Sequence, residues 1–273
     1  METYHLERDQ LVERIRHYRA QIVEMIAKAG SGHPGGSLSA IDLIAALFHR
    51  ELRFRPGEPE WQGRDRFVLS KGHGVPALYA VMAGCGFFPA EELHTLRRLG
   101  ARLQGHPSCT SLPGIEASTG SLGMGLSFAM GAALGLKESG QRVYCLMGDG
   151  EIQEGQIWEA ALAAPKFRLG NLVAIVDYNK GQIDGPTREV MDLEPLAEKW
   201  RAFNWQVLEI DGHDLNAIEE AFSQARSCST SPSLILAHTV KGKGVSFMEG
   251  VIDWHGTAPD GAQCAAALAE LKG

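Results

Sequence analysis

The sequence predicts an α/β fold, a mostly parallel sheet with helices on both faces, formed as a single domain over residues 1–273. Three observations predict it. Between residues 142 and 240 short apolar runs alternate with segments of helical periodicity. The runs, such as NLVAIVDYN, are apolar at successive positions, as strands covered on both faces are. No repeat, linker or low-complexity stretch divides the chain, so the alternation continues as one unit.

The elements follow in order. Leu11, Ile15, Tyr18, Ile22, Met25 and Ile26 recur at helical spacing between Leu6 and Ala29, and Gly30 ends that helix. Ser39 followed by Asp42 reads as a capping box opening a second helix through AIDLIAALFHR. DRFVLS is a short buried strand and GVPALYAVMA a helix after it. A loop-rich region around GHPSCTSLPG leads to a glycine-rich loop and a close-packed helix in GSLGMGLSFAMGAALGLKESG. RVYCLMGDG, NLVAIVDYN, WQVLEIDG and SLILAHTV then read as strands. QEGQIWEAALAAP, LEPLAEKWRAF and DLNAIEEAFSQAR read as the helices between them. Beyond Gly242 the chain is irregular until a short terminal helix, AQCAAALAELK.

Composition narrows the function classes. With 44% apolar and 22% charged residues the chain can build a substantial core. A formal charge of −7 without a basic stripe excludes nucleic-acid binding as the expectation. Five scattered cysteines without a C-x-x-C pair argue against a disulfide framework or zinc ribbon and for a reducing, cytoplasmic setting. The N-terminus has no apolar signal core, and no run approaches the ~18 apolar residues of a membrane span.

Two predicted strands end in loops with unusual chemistry. In CLMGDGEIQEG, Gly148 and Gly150 allow a tight turn and close approach to an anion. Asp149 between them offers a hard oxygen ligand, and the next helix points its N-terminus into the same space. VDYNKGQIDG brings Asn179 and backbone carbonyls thirty positions later, a strand-helix-strand repeat that sets the two loops side by side. A carboxylate, an amide oxygen and a carbonyl form half an octahedron, which Mg2+ completes with diphosphate oxygens and water. A lone G-D-G is a common turn; the combination at this spacing is far more specific. Three further loops, GSGHPGGS, SKGHGVPA and LQGHPSCT, raise His33, His73 and His106 beside glycine.

The G-D-G plus Asn arrangement resembles the diphosphate motif of thiamine diphosphate enzymes. GSGHPGGSLSAIDLIAALF, LSKGHGVPALYAVMA, GHPS, STGSLGMGLSFAMGAALG, GDGEIQEGQIWEAALAAPKFRLGNLVAIVDYNKGQIDG, DGHD, TVKGKGVSFME and WHGTAP occur in the order seen in transketolases, from about residue 8 to 260. The chain resembles the N-terminal, diphosphate-binding subunit of a split transketolase. The resemblance implies thiamine diphosphate and Mg2+ or Ca2+ as cofactors, with Asp149, Asn179 and the Gly181 carbonyl as metal ligands. It implies that Gly150 donates its amide to the diphosphate and that His73, His255 and Lys241 approach the same group. Gly120, Leu122 and Ile183 match positions that touch the rest of the cofactor. His33 and His106 match histidines that line the substrate funnel, where proton traffic suits a group titrating near neutrality. Glu154 matches a glutamate at the subunit interface that is hydrogen-bonded toward the neighbouring active site, and the resemblance implies a catalytic set of His33, His106, His255 and Glu154.

The same resemblance implies transfer of a two-carbon ketol unit from a ketose phosphate to an aldose phosphate. The pyrimidine-binding domain and its activating glutamate have no counterpart in these motifs. A C-terminal partner subunit carrying that domain is therefore expected, most simply as an α2β2 assembly.

Each residue also has a plainer reading. Glu154 can simply favour a helix dipole, Leu122 and Ile183 can be core, and Lys241 and Lys243 a solvated basic loop. His5, His17, His49 and His94 read as surface or boundary positions, His213 as part of a turn, and His238 as a strand end. Alternative functions are a deoxyxylulose-phosphate-synthase-like or 2-oxo-acid dehydrogenase component, a transketolase for an unusual sugar, a non-catalytic cofactor-binding subunit, and a three-histidine zinc site.

Overall fold

The computed structural model describes residues 4–272. Helix α1 (Arg8–Ala29) buries Leu11, Ile15, Tyr18, Ile22 and Ile26 along one side, and Gly30 ends it in the left-handed conformation at φ 64°. Helix α2 (Pro34–Ala46), strand β1 (Arg66–Leu69), α3 (Val75–Gly84) and α4 (Met124–Gly135) follow. Next come β2 (Val143–Gly148), α5 (Gly155–Lys166) and β3 (Leu172–Tyr178). A small antiparallel pair, β4 (Gly181–Gln182) and β5 (Gly185–Pro186), leads into α6 (Thr187–Val190) and α7 (Leu196–Ala202). The chain closes with β6 (Gln206–Asp211), α8 (Leu215–Ser227), β7 (Ser233–His238) and α9 (Gly261–Lys272).

Five strands form one sheet in the order β1-β2-β3-β7-β6, and every neighbouring pair is parallel. The period-two geometry of a strand divides each apolar run between two cores. In β2, Tyr144 and Leu146 pack among side chains of α1, α2, α3 and α8, while Val143, Cys145 and Met147 pack against α4, α5 and α7. Burial on both faces is why these strands read as continuous apolar runs rather than alternating ones. Between β3 and β7 the strand order reverses. In open α/β sheets ligands bind outside the carboxyl ends of the strands at such a point.

Three expectations are corrected. Ser39 and Asp42 do not open α2, which begins at Pro34 with His33 at its N-cap. Proline at N1 suits that start, since its missing N–H is one the first turn leaves unpaired. Ser39 lies inside the helix and donates to Asp177 Oδ2 at 2.6 Å. His49 is not a surface residue but 1% exposed, accepting from the Tyr18 hydroxyl at 2.8 Å while its Nδ1 meets the Tyr4 carbonyl at 3.0 Å. Finally, neither Gly148 nor Gly150 has positive φ. Glycine at 150 is required by proximity instead, because a Cβ there would stand 2.9 Å from that of Gln182.

Candidate active site

The loops after β1, β2, β3 and β7 enclose a cleft of about 340 Å³, which the loops around residues 33, 106, 120 and 255 complete. All thirteen residues singled out from the sequence line it: His33, His73, His106, Gly120, Leu122, Asp149, Gly150, Glu154, Asn179, Gly181, Ile183, Lys241 and His255. The register of β2 and β3 pairs Gly148 with Asp177, which brings the two following loops together. Asp149 Oδ2 accepts from the Lys180 amide at 2.5 Å, and Asp149 Oδ1 from the Gly150 amide at 2.8 Å. Asn179 Oδ1 accepts from the Gly181 amide at 3.1 Å.

This donor set has the chemistry of a cation site. Asp149 is 2% exposed and, among the described residues, forms no salt bridge. Burial pushes its carboxyl up to about 6, and the charge of Asp177 adds to the push. A buried carboxylate so placed gains from a cation. The Gly181 carbonyl is the third candidate ligand. Its register partner is Pro186, which has no N–H to offer it. The residues present therefore fit a hard divalent ion. Gly181 also makes room, since a Cβ there would stand 2.6 Å from Ile252 Cδ1 and 2.8 Å from Lys241 Cε.

Beneath this loop pair lies a buried ion pair that sequence reasoning missed. Lys71, 1% exposed, donates from Nζ to Asp177 Oδ2 at 2.5 Å and to the Gly36 carbonyl at 2.9 Å. Asp177 is fully buried and also accepts from Ser39, Thr239 and Asn179. Burial raises its pKa, but the Lys71 ammonium and these hydrogen bonds outweigh burial and hold it below the usual carboxylate range. Glu151 was missed too. It accepts from Ser70 and from the amides of Gly123 and Gly148, tying three loops of the cleft together.

The histidines depart from expectation in charge. Burial, then Arg97 and His106, bring His33 down to about 4; burial, then Lys241, bring His255 down to about 3. Burial and the Lys71 ammonium hold His73 well below its ordinary value, and burial and Arg97 lower His106. These rings are neutral at pH 7, so the cationic groups lining the cleft are Lys71 and Lys241. Lys241 is 2% exposed, and burial and Lys71 lower it to about 8; its Nζ meets His255 Nδ1 at 3.2 Å. His33 lies 5.2 Å from His73, 5.7 Å from His255 and 6.4 Å from His106, ring centroid to centroid. Its Nδ1 is buried without a partner. Among the described residues no three His, Cys, Asp or Glu side chains are grouped so as to hold a metal ion.

The remaining positions are partly outward. Glu154 is exposed at the N-cap of α5 without a side-chain cap bond, and Leu122 and Ile183 are 37% and 68% exposed rather than core. His213, expected in a turn, does more: its Nε2 accepts from the Val240 amide at 2.9 Å and its Nδ1 donates to Asp42 at 2.7 Å, bracing the loop that carries Lys241. No helix among the described residues is long and apolar enough to cross a membrane.

Residues 8–271 match the family described as transketolase, thiamine diphosphate binding domain. The chain is 49% identical over 256 residues to the 6-deoxy-6-sulfo-D-fructose transketolase subunit of a Clostridium species, covering 93% of each. It is 44% identical over 256 residues to an apulose-4-phosphate transketolase subunit of Phocaeicola vulgatus, covering 93% of this chain and 91% of that one. The fold superposes on the transketolase of Campylobacter jejuni with a TM-score of 0.91 at 32% identity, over 98% of this chain and 43% of that one. A buried acidic loop pair at the switch point of a parallel sheet and near-complete coverage by subunit-length relatives agree. The chain belongs to the transketolase family, as its thiamine diphosphate binding domain.

Proposed function

We propose that this chain is the cofactor-holding subunit of a two-polypeptide transketolase. Together with a C-terminal partner it transfers a two-carbon ketol unit from a ketose phosphate to an aldose phosphate. The observation that carries this reading is the convergence of all thirteen motif residues, drawn from loops up to 222 positions apart, on one cleft. The names of the two subunit-length relatives favour a sugar outside the common pentose and hexose phosphates.

In this reading Asp149, Asn179 and the Gly181 carbonyl hold Mg2+ or Ca2+ against the diphosphate. Thiamine diphosphate, when bound, supplies the electron sink for the two-carbon unit. Lys241 supplies positive charge for a diphosphate, Lys71 being neutralised by Asp177, and His73 and His255, being neutral, act as hydrogen-bond partners rather than charges. Donation from Lys241 to His255 Nδ1 leaves the ring proton on Nε2. His33 and His106 face the sugar. A neutral His33 can bind a hydroxyl and hold or release its proton without a charge to desolvate.

The partner is expected over the open side of the cleft. Leu122 lines the cleft, and Met124 and Phe128, one turn apart on α4, continue the apolar surface outward, Phe128 at 52% exposure. A second chain there would bury that patch, bring Glu154 into an interface and supply the carboxylate that the cofactor's pyrimidine ring needs. An α2β2 assembly in the cytoplasm is the simplest arrangement.

The test is reconstitution. Co-expressed with a polypeptide that carries a pyrimidine-binding domain, the chain should transfer ketol units between sugar phosphates in the presence of thiamine diphosphate and Mg2+, and alone it should not. Transfer at enzymatic rates by the isolated chain would overturn the split-site reading. A complex that binds cofactor yet transfers nothing would instead identify a non-catalytic subunit.

A further inference from the structure

Two loops far apart in sequence bring His33 and His106 to the cleft, and one side chain joins them. Arg97 donates from Nη1 to Ser31 Oγ at 2.9 Å, two residues before His33. Its backbone amide donates to the Leu103 carbonyl at 2.9 Å, and its guanidinium lies against Gly105, the residue before His106. A Cβ at position 105 would stand 2.7 Å from Arg97 Nε and 2.8 Å from Cζ, so glycine there is what lets the guanidinium approach. Arg97 itself has φ 60°, a conformation that a long side chain adopts only where its surroundings hold it.

We propose that Arg97 is a positioning residue for the sugar-facing end of the cleft, a strut that fixes the His33 loop relative to the His106 loop. The sugar-facing role of the two histidines rests on the function proposed above; the strut does not. Its charge agrees with this placement. Among the described residues Arg97 forms no salt bridge, and its cation lowers the pKa of both rings. The other groups facing His33 are Lys241, Lys71 and the rings of His73, His106 and His255. His106 faces His33 and Arg97.

Hydrogen exchange and histidine NMR titration of the full chain test this without partner or cofactor. In R97M, amide exchange should rise several-fold both near residues 97–107 and across residues 30–34. His33 and His106 should both titrate at higher pH than in the parent. G105A, which displaces the guanidinium while leaving the charge in the chain, should loosen the same two loops. Exchange that changes only near residues 97–107, or histidines that titrate as before in R97M, would overturn the strut. In the reconstituted complex R97M should raise the KM for the sugar about tenfold and leave the affinity for thiamine diphosphate unchanged. A wild-type complex without transfer activity would remove the proposed function, yet the exchange and titration results would still decide on Arg97.

Discussion

Lys71 Nζ lies 2.5 Å from Asp177 Oδ2, and neither side chain is more than 1% exposed. Two opposite charges taken out of water together hold each other there, and removing either strands the other. D177N or K71M should therefore each lower stability by about 3–5 kcal/mol in urea unfolding. The double variant K71M/D177L should cost less than the sum of the singles, because no buried charge remains. Additive losses would mean that the two residues act separately.

Asp149 behaves oppositely. Its folded-state pKa, about 6, lies above the ordinary 3.8, so the fold favours the protonated carboxyl. That contribution to stability is complete below the ordinary pKa and is lost as pH rises through about 6. D149N should accordingly leave the chain as stable as before, or raise its Tm by a few degrees at pH 7.5. The same variant should abolish Mg2+-dependent binding of thiamine diphosphate, read by calorimetry. Lost stability together with retained binding would show that Asp149 is structural.

Cofactor affinity should then follow a bell in pH. In the proposed reading Asp149 holds the metal as a carboxylate, so affinity should fall about tenfold between pH 7 and pH 5. Lys241, lowered to about 8, loses its charge above that pH, and affinity for the diphosphate should fall there too. Titration calorimetry from pH 5 to 9.5 reads both limbs. K241M should remove the alkaline limb alone, and an unchanged bell in K241M would discard its assignment to the diphosphate.

The proposed association with a partner rests on a different surface. Placing a charge in the apolar patch, as in F128D, should weaken binding to the partner polypeptide at least a hundredfold while leaving the circular dichroism and Tm of the isolated chain unchanged. Phe128 is half exposed and belongs to neither buried core. Co-elution on size exclusion and light scattering measure the outcome. Undiminished pairing would move the interface elsewhere on the molecule.

Strands β2, β3 and β7 were legible as sequence because strands buried on both faces leave uninterrupted apolar runs, and β1 and the half-exposed edge strand β6 were legible from their place in the alternation with helices. The loops at their ends were legible because glycine, histidine, aspartate and asparagine stand out against those runs. Lys71 and Asp177 were not. Each adjoins a more conspicuous residue, His73 and Asn179, and a bond across 106 positions leaves no local trace. His49 was misread because one polar side chain on a helix does not disclose what faces it; here two tyrosines do. The start of α2 was misplaced because Pro34 and two glycines resemble a loop, whereas proline at the first helical position is favourable. Arg97 escaped notice because its meaning is a distance between two loops rather than a motif.

The Gly242 amide donates to the Gly35 carbonyl at 3.0 Å, joining a loop near one end of the chain to a helix near the other. During synthesis the Asp149 and Asn179 loops can emerge and pair long before residues 241 and 255 leave the ribosome. The side of the cleft lined by Lys241 and His255 therefore stays open until the segment after β7 docks. In the proposed reading a cofactor that reaches both Asp149 and Lys241 binds only once this segment has docked, and mass action then makes it a protector of the docked form against proteolysis.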